Sequence, residues 1–442
     1  MMIRRFMIAS ALLATGSALA GQTVPPARTP QLAVPAAVSP LPTTQALFDG
    51  YIAQDKMPGI VGAFGYHDLP TLFVSAGRIS DDAGAAAAGP DTLWRVYSMT
   101  KPVTALAAMI LIEQGKIGLD EPVSDFIPAF KAMRVQLNPD TLESRPAARP
   151  ITIRNLLTHT AGLGYNIVTK GPLLKEYNRL GINPAALSAA MEGPMRAVRP
   201  PTLEAFADRV AQLPLIADPG TKWSYSIGLD VMGRVIEVAS GVPFDQFVQT
   251  RIFDPLAMRS SYWTVPQSEV GRFATNYFFI GDGRAPIDPA ASSAWLSPPS
   301  FPYGGAGLVM SARDYDRFLH LLQNRGTLDG VQIIKPETAA LMMSNLLPPG
   351  VTFTPADVTL RSATEAPTMG FGAGGFVAIA DKPGGPGKGT YGWSGAAGTI
   401  AWVDPEKRLR GTIMVNYLPP EKWPVRAETI AALITDLGRY KQ

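Results

Sequence analysis

The chain has 442 residues, with 39 lysines and arginines against 36 aspartates and glutamates, a net charge of +3, and no cysteine. That length supports one large domain or two interleaved ones, and the small, scattered charge excess excludes the basic stripe of a nucleic-acid binder. Without cysteine there is neither a disulfide framework nor a lipid-modified thiol.

At the N-terminus, Met1 to Arg5 carry two arginines and residues 6–13 are mostly apolar. Ala18-Leu19-Ala20 before Gly21 has the small-residue spacing of a signal-peptidase site. This predicts a signal peptide over residues 1–20, cleaved after Ala20, and a periplasmic or secreted protein. Gly16 and Ser17 interrupt the apolar run too early for a membrane span, so none is expected in the mature form. Arg4-Arg5 raises the twin-arginine route, which the rest of the segment matches poorly. Residues 21–43 are dense in proline, alanine, threonine and serine, and read as a tether.

Strand-like patterns at Gly59–Tyr66 and 71–76 predict a hairpin, and the alanine run 85–88 between Gly84 and Gly89 reads as a surface loop. Next comes Ser98-Met99-Thr100-Lys101, between an extended stretch (92–97) and an apolar run (102–112). Three residues along a helix bring two side chains onto one face, so the Ser98 hydroxyl and Lys101 amine can share a proton. That pairing activates a serine without histidine. Pro102 is tolerated if the helix starts near Ser98, because first-turn N–H groups have no intrahelical partner. At a helix mouth the dipole favours a developing alkoxide and pushes Lys101 toward its neutral form. An ordinary lysine, with pKa ~10.4, would be neutral in only about one molecule in a few thousand at pH 7. The plainer reading is a serine N-cap followed by a solvated lysine.

Helical spacing recurs at Ile153–Leu157, 203–213, 229–239 and 244–253, with Thr152 and Thr202 as N-caps and Gly241 as a stop. Strand candidates then follow at 371–380, 389–393, 399–403 and 410–415, before a terminal helix over 425–437. Strands at both ends with helices between predict an α/β (α+β) fold, with one antiparallel sheet built from both ends of the chain and flanked by helices. Residues 44–150 and 300–442 would form the α/β domain, and 151–299 a mostly helical one.

Two further segments complete a serine site. In residues 222–228, Tyr225 lies just ahead of an amphipathic helix, where its hydroxyl can relay a proton to a leaving group; the alternative is a buried tyrosine anchored by one hydrogen bond. In Gly392-Trp393-Ser394-Gly395-Ala396, a strand runs into a turn whose N–H groups can hold an oxyanion; the alternative is a plain hairpin turn. Ser394 as the nucleophile of an α/β-hydrolase elbow is excluded, because that order needs a later histidine and none follows His320. His159 reads as support for the turn behind the site, and His67 and His320 as structural. No two histidines have metal-ligand spacing, and no phosphate-binding glycine loop is evident, so no metal or cofactor is expected. Tyr277, Phe278, Phe279, Trp295, Phe301 and Tyr303 read equally as a pocket wall or as core.

Taken together, the chain resembles the serine β-lactamase and penicillin-recognising superfamily, in the class C β-lactamase-like branch that includes the family VIII carboxylesterases. The resemblance spans about residues 44–437. It rests on the order of Ser98-x-x-Lys101, Ile151-Thr-Ile-Arg-Asn-Leu-Leu-Thr-His-Thr-Ala-Gly-Leu163, the block 219–241, Asp254-Pro-Leu-Ala-Met258, the glycine-rich block 304–314 and Trp393-Ser394-Gly395. It implies an active site in the cleft between the two domains, with Ser98 as the acylated nucleophile and Lys101 and Tyr225 sharing acid/base work. The N–H groups of Ser98 and Ala396 would form the oxyanion hole. Where β-lactamases carry Tyr-x-Asn this chain has Tyr225-Ser226-Ile227, and where they carry Lys-Thr-Gly it has Trp393-Ser394-Gly395. Loss of the amide at Ile227 and of the cation at Trp393 favours esters over lactams. A small-molecule ester is therefore the expected substrate, with no obligate protein partner. Acyl transfer, weak lactam or D-alanyl peptide hydrolysis, and a non-catalytic sensor role are the competing readings.

Overall fold

Helix α1 (Pro42–Ala53) leads into strands β1 (Gly59–Tyr66) and β2 (Leu72–Gly77), then a short strand β3 (Leu93–Arg95). A single 3-10 turn, Tyr97–Met99, precedes α2 (Thr100–Glu113). The middle of the chain holds α3 (Ile153–Leu157), α4 (Gly171–Arg179), α5 (Ala189–Val198), α6 (Leu203–Ala211), α7 (Gly228–Ser240) and α8 (Phe244–Val248), then strands β4 (Asn276–Ile280) and β5 (Gly283–Asp288). It returns through β6 (Val309–Ser311), α9 (Ala312–Gln323) and α10 (Pro336–Met342). The last elements are β7 (Met369–Phe371), β8 (Phe376–Ala378), β9 (Tyr391–Ser394), β10 (Ile400–Asp404), β11 (Leu409–Met414), β12 (Tyr417–Leu418) and α11 (Val425–Arg439). This computed structural model describes residues 39–353, 368–382 and 385–439. The expected signal peptide and most of the tether lie outside the described residues. The last tether positions belong to the fold: α1 starts at Pro42, Leu41 is buried, and Thr44 donates to the buried Asp436 of α11 at 2.8 Å.

The main sheet is antiparallel, in the order β7-β8-β9-β10-β11-β1-β2, so strands from the two ends of the chain meet where β11 pairs with β1. Alternation along the strands sends side chains to two cores. Ile60, Phe64, Ile400 and Ile413 pack with residues of α1 and α11, whereas Val61, Ala63, Ala401 and Met414 face the larger core that contains α2. Helix α9 lies against β1, β10 and β11. Its N-cap is Ser311, whose hydroxyl accepts the Asp314 N–H at 3.1 Å. Helix α2 is buried from Thr100 through Leu111, as its unbroken apolar run requires.

The structure corrects one expectation and refines two. The single strand over 371–380 is instead two, β7 and β8, because the glycines between them form a tight hairpin closed by Gly372 N–H to the Gly375 carbonyl at 2.8 Å. The helix over 244–253 changes to a wider π turn at Gln249–Phe253, closed by Asp254 N–H to the Gln249 carbonyl. Within 151–299, residues 276–288 form the β4–β5 hairpin, and β12 pairs with β4 in parallel. Tyr277 and Phe279 of that hairpin pack with Tyr417, while Trp295, Phe301 and Tyr303 are buried in the larger core. No helix among the described residues is long and apolar enough to cross a membrane.

Candidate active site

Ser98 sits in the 3-10 turn, two residues before α2 begins at Thr100, so the helix starts slightly later than the spacing of Ser98 and Lys101 implies. Tyr97 enters this turn with φ 43°, a strained left-handed conformation for a non-glycine residue. Its hydroxyl is held by Asn276 Nδ2 at 3.0 Å. Pro102 falls in the first turn of α2, where a missing N–H costs nothing. Two threonines fasten the 304–308 segment to this helix: Leu308 N–H donates to Thr100 Oγ1 at 3.0 Å, and Thr104 Oγ1 donates to the Gly304 carbonyl at 2.7 Å. The Gly305 carbonyl thereby accepts Lys101 Nζ at 2.8 Å, and the same Nζ reaches Ser98 Oγ at 3.3 Å. Lys101 is fully buried, whereas Ser98 keeps partial exposure.

Tyr225 comes from the segment ahead of α7. Its hydroxyl donates to Ser98 Oγ at 2.7 Å, and Lys101 Nζ lies 4.6 Å from the centre of its ring. His159 fixes this segment. Its carbonyl accepts the Ser224 N–H at 2.9 Å, and its Nδ1 accepts the Ser226 N–H at 3.2 Å. The imidazole is fully buried, 4.8 Å from the Tyr225 ring centre, and burial followed by the charge of Lys101 holds its pKa well below the ordinary histidine value. Nδ1 also lies 2.9 Å from Ser226 Oγ, and Nε2 has no hydrogen-bond partner among the described residues. His159 thus stands behind the site, against Tyr225.

Strand β9 carries the third segment. Trp393 and Ser394 pair with Ala401 and Ile400, and the following turn closes through Gly395 N–H to the Thr399 carbonyl at 2.8 Å. A side chain at Gly395 would place its Cβ 2.4 Å from the Val96 carbonyl oxygen, so glycine lets this turn lie against the backbone leading to Ser98. Among the described residues, neither the Ser98 N–H nor the Ala396 N–H has an acceptor. Ala396 and Ser394 are exposed. Trp393 is half-buried in an aromatic cluster, its ring centre 5.2 Å from Phe371 and 5.8 Å from Tyr225.

Ile227 is where the structure departs from the sequence reading. It is 0 % exposed, part of the larger core, and its N–H donates to the Gly164 carbonyl at 3.2 Å. The side chain presents no surface to a ligand. Two participants were missed. Asp230, fully buried on α7, accepts the Gly305 N–H at 2.8 Å, and Gly305 holds Lys101. Desolvation pushes the Asp230 carboxyl up to about 7 against the opposing pull of Lys101. The only sequence signal for Asp230 was an acidic residue on the apolar face of an amphipathic helix. Tyr165 also lies over Nζ, at 5.6 Å from its ring centre, and burial pushes its phenol well above its ordinary value.

A family model described as Beta-lactamase matches residues 44–435. Esterase EstB of Burkholderia gladioli is 29% identical over 391 residues, covering 84% of this chain and 89% of that protein. Monacolin J acid methylbutanoyltransferase of Aspergillus terreus is 29% identical over 351 residues, covering 76% of this chain and 79% of its own length. Among solved structures, EstCE1, described as a hydrolase with promiscuous acyltransferase activity, superposes with a TM-score of 0.72 at 26% identity, covering 88% of this chain and 97% of that one. The chain therefore belongs to the beta-lactamase family, and within it is a serine hydrolase.

Proposed function

We propose that the protein cleaves small carboxylic esters through an acyl-enzyme on Ser98. The observation that carries this reading is the convergence of the Tyr225 hydroxyl, at 2.7 Å, and Lys101 Nζ, at 3.3 Å, on a partly exposed serine oxygen. Ser98 Oγ attacks the ester carbonyl as Lys101 takes its proton, and the carbonyl oxygen becomes an oxyanion facing the N–H groups of Ser98 and Ala396. Tyr225 hands a proton to the departing alkoxide, leaving the acyl group on Ser98. Water then attacks the acyl carbon with the proton flow reversed, releasing acid and regenerating the serine.

Ester rather than lactam specificity is supported by Trp393 and its aromatic neighbours, an apolar wall in place of the cation expected beside a lactam carboxylate. Similarity to both an esterase and an acyltransferase also supports transfer of the same acyl group to an alcohol. The test is a panel of short p-nitrophenyl esters, penicillins and cephalosporins, combined with mass-spectrometric mapping of a serine-directed phosphonate. Multiple turnovers of ester with label on Ser98 are expected. Label on Ser394, or a cephalosporin kcat/KM at or above that of the short ester, would overturn the proposal.

We further infer export, from the signal-like composition of residues 1–20. N-terminal sequencing of the protein from fractionated cells should find Gly21 first. A cytoplasmic protein still beginning at Met1 would refute it.

A further inference from the structure

Asp230 occupies the first turn of α7 and is fully buried. Carboxyl groups seldom leave water without compensating partners. Its Oδ1 accepts the Gly305 N–H at 2.8 Å, whereas Oδ2 has no hydrogen-bond partner among the described residues. The carbonyl of the same Gly305 accepts Lys101 Nζ at 2.8 Å. One glycine therefore connects the acid to the amine, and a Cβ there would lie 2.6 Å from Asp230 Oδ2 and push the carboxyl aside.

We propose that Asp230 is the positioning residue for Lys101: it holds Gly305 so that Nζ stays beside Ser98 Oγ, and it supplies the buried negative charge that offsets the ammonium formed during acylation. This rests on Lys101 acting as the base. As Ser98 Oγ bonds to the acyl carbon, the carbonyl π pair moves to the oxygen, the O–H pair remains on Oγ, and the proton passes to Nζ. A cation then appears where water is excluded, which is unfavourable unless an opposite charge stands near. The other titratable groups facing this pocket are His159 and Tyr165, from the connection after α3, and Tyr225, ahead of α7. Burial keeps His159 neutral and the Tyr165 phenol protonated near neutral pH, so neither supplies an anion. Asp230 feels the charge of Lys101 directly, and its carboxyl, pushed up to about 7 by burial, is able to ionise there.

Asp230→Asn keeps the shape and an oxygen for the Gly305 N–H while removing the charge. In a folded variant, kcat for a short p-nitrophenyl ester should fall on the order of tenfold or more with KM nearly unchanged. The acid limb of the kcat–pH profile should also move to lower pH, because loss of the anion disfavours the ammonium. An unchanged kcat or an unmoved acid limb overturns the proposal. A second measurement follows the buried carboxyl by its infrared C=O band in the unmodified protein and in Lys101→Met. Lys101→Met removes the positive charge that Asp230 feels whenever the resting amine is protonated, so the carboxyl should ionise at higher pH. An unchanged midpoint overturns the coupling, and decides the matter alone if Asp230→Asn fails to fold. Ser98→Ala separates the two levels: if it is inactive while Asp230→Asn behaves normally, only this inference fails. If Ser98→Ala stays active, the underlying assignment of the nucleophile fails instead.

Discussion

The Tyr225 hydroxyl lies 2.7 Å from Ser98 Oγ, although 127 residues separate the two in sequence. The contact depends on two independent placements. Ser98 is carried by the turn feeding a helix buried along nearly its whole length, and Tyr225 by a loop stitched to the backbone and ring of His159. Neither placement uses the other's side chain, so altering the chemistry at one position leaves the opposite wall standing.

Ser98→Ala should therefore reduce ester turnover to background while leaving the thermal midpoint within a few degrees of the unmodified protein, since only one partly exposed hydroxyl is lost. Covalent labelling by a phosphonate should vanish with it. Melting curves and single-turnover assays on the same preparation check both halves.

Lys101→Met and Tyr225→Phe should each lower kcat on the order of 10²-fold. Both side chains act on the same oxygen, at 3.3 and 2.7 Å, so the double variant should be far less impaired than the product of the single losses. Multiplicative losses would show that the two act independently.

Gly395→Ala should impair kcat far more than KM. Its methyl would meet the Val96 carbonyl oxygen at 2.4 Å and Thr399 Oγ1 at 2.2 Å, which forces the turn carrying the Ala396 N–H away from Ser98. Loss of one oxyanion donor is worth roughly 10²- to 10³-fold in kcat. A slower phosphonate reaction in parallel would place the defect in acylation, and normal kinetics would remove Ala396 from the oxyanion hole.

Ile227→Asn should destabilise the protein without moving selectivity toward lactams. The side chain is fully buried, and an unpaired amide there costs about 1 to 3 kcal/mol beyond the lost apolar contacts. Trp393→Lys is the change expected to raise the lactam-to-ester ratio, because that ring borders Tyr225. Urea unfolding of the first variant and kcat/KM ratios for the second test the division.

The stability of the unmodified protein relative to Asp230→Asn should fall as pH rises from about 4 to 7. The folded carboxyl is raised to about 7 from an ordinary aspartate value of 3.8, so the unfolded chain releases its proton first and gains from each step upward in pH. The difference is full below the unfolded value and is lost by the folded one, on the order of 4 kcal/mol at most. Denaturant titrations of both proteins across this range would reveal it, and parallel curves would mean that Asp230 is not raised.

Local order was largely legible in the sequence. Thr152 and Thr202 cap their helices through side-chain acceptance of Asn155 and Ala205 N–H, and Gly241 ends α7 in the left-handed region, because capping is settled within one turn of chain. Gly59–Tyr66 was readable as a strand, and Ser98, Lys101, Tyr225 and the 392–396 turn as site candidates, because each depends on residue type and short spacing. The split of the 371–380 stretch into two strands was lost because apolar alternation continues across a glycine hairpin and a sheet partner decides where pairing stops. The strands at 276–288 went unread for the same reason, since one of their partners, β12, lies at the far end of the chain. Residue type did not reveal that Ile227 turns into the core, or that Gly305 carries Asp230 to Lys101. Burial and long-range hydrogen bonding are properties of packed neighbours. The sequence by itself determined which side chains were available for acyl chemistry; the tertiary structure decided which of them share one oxygen, and which buried acid stands behind Lys101.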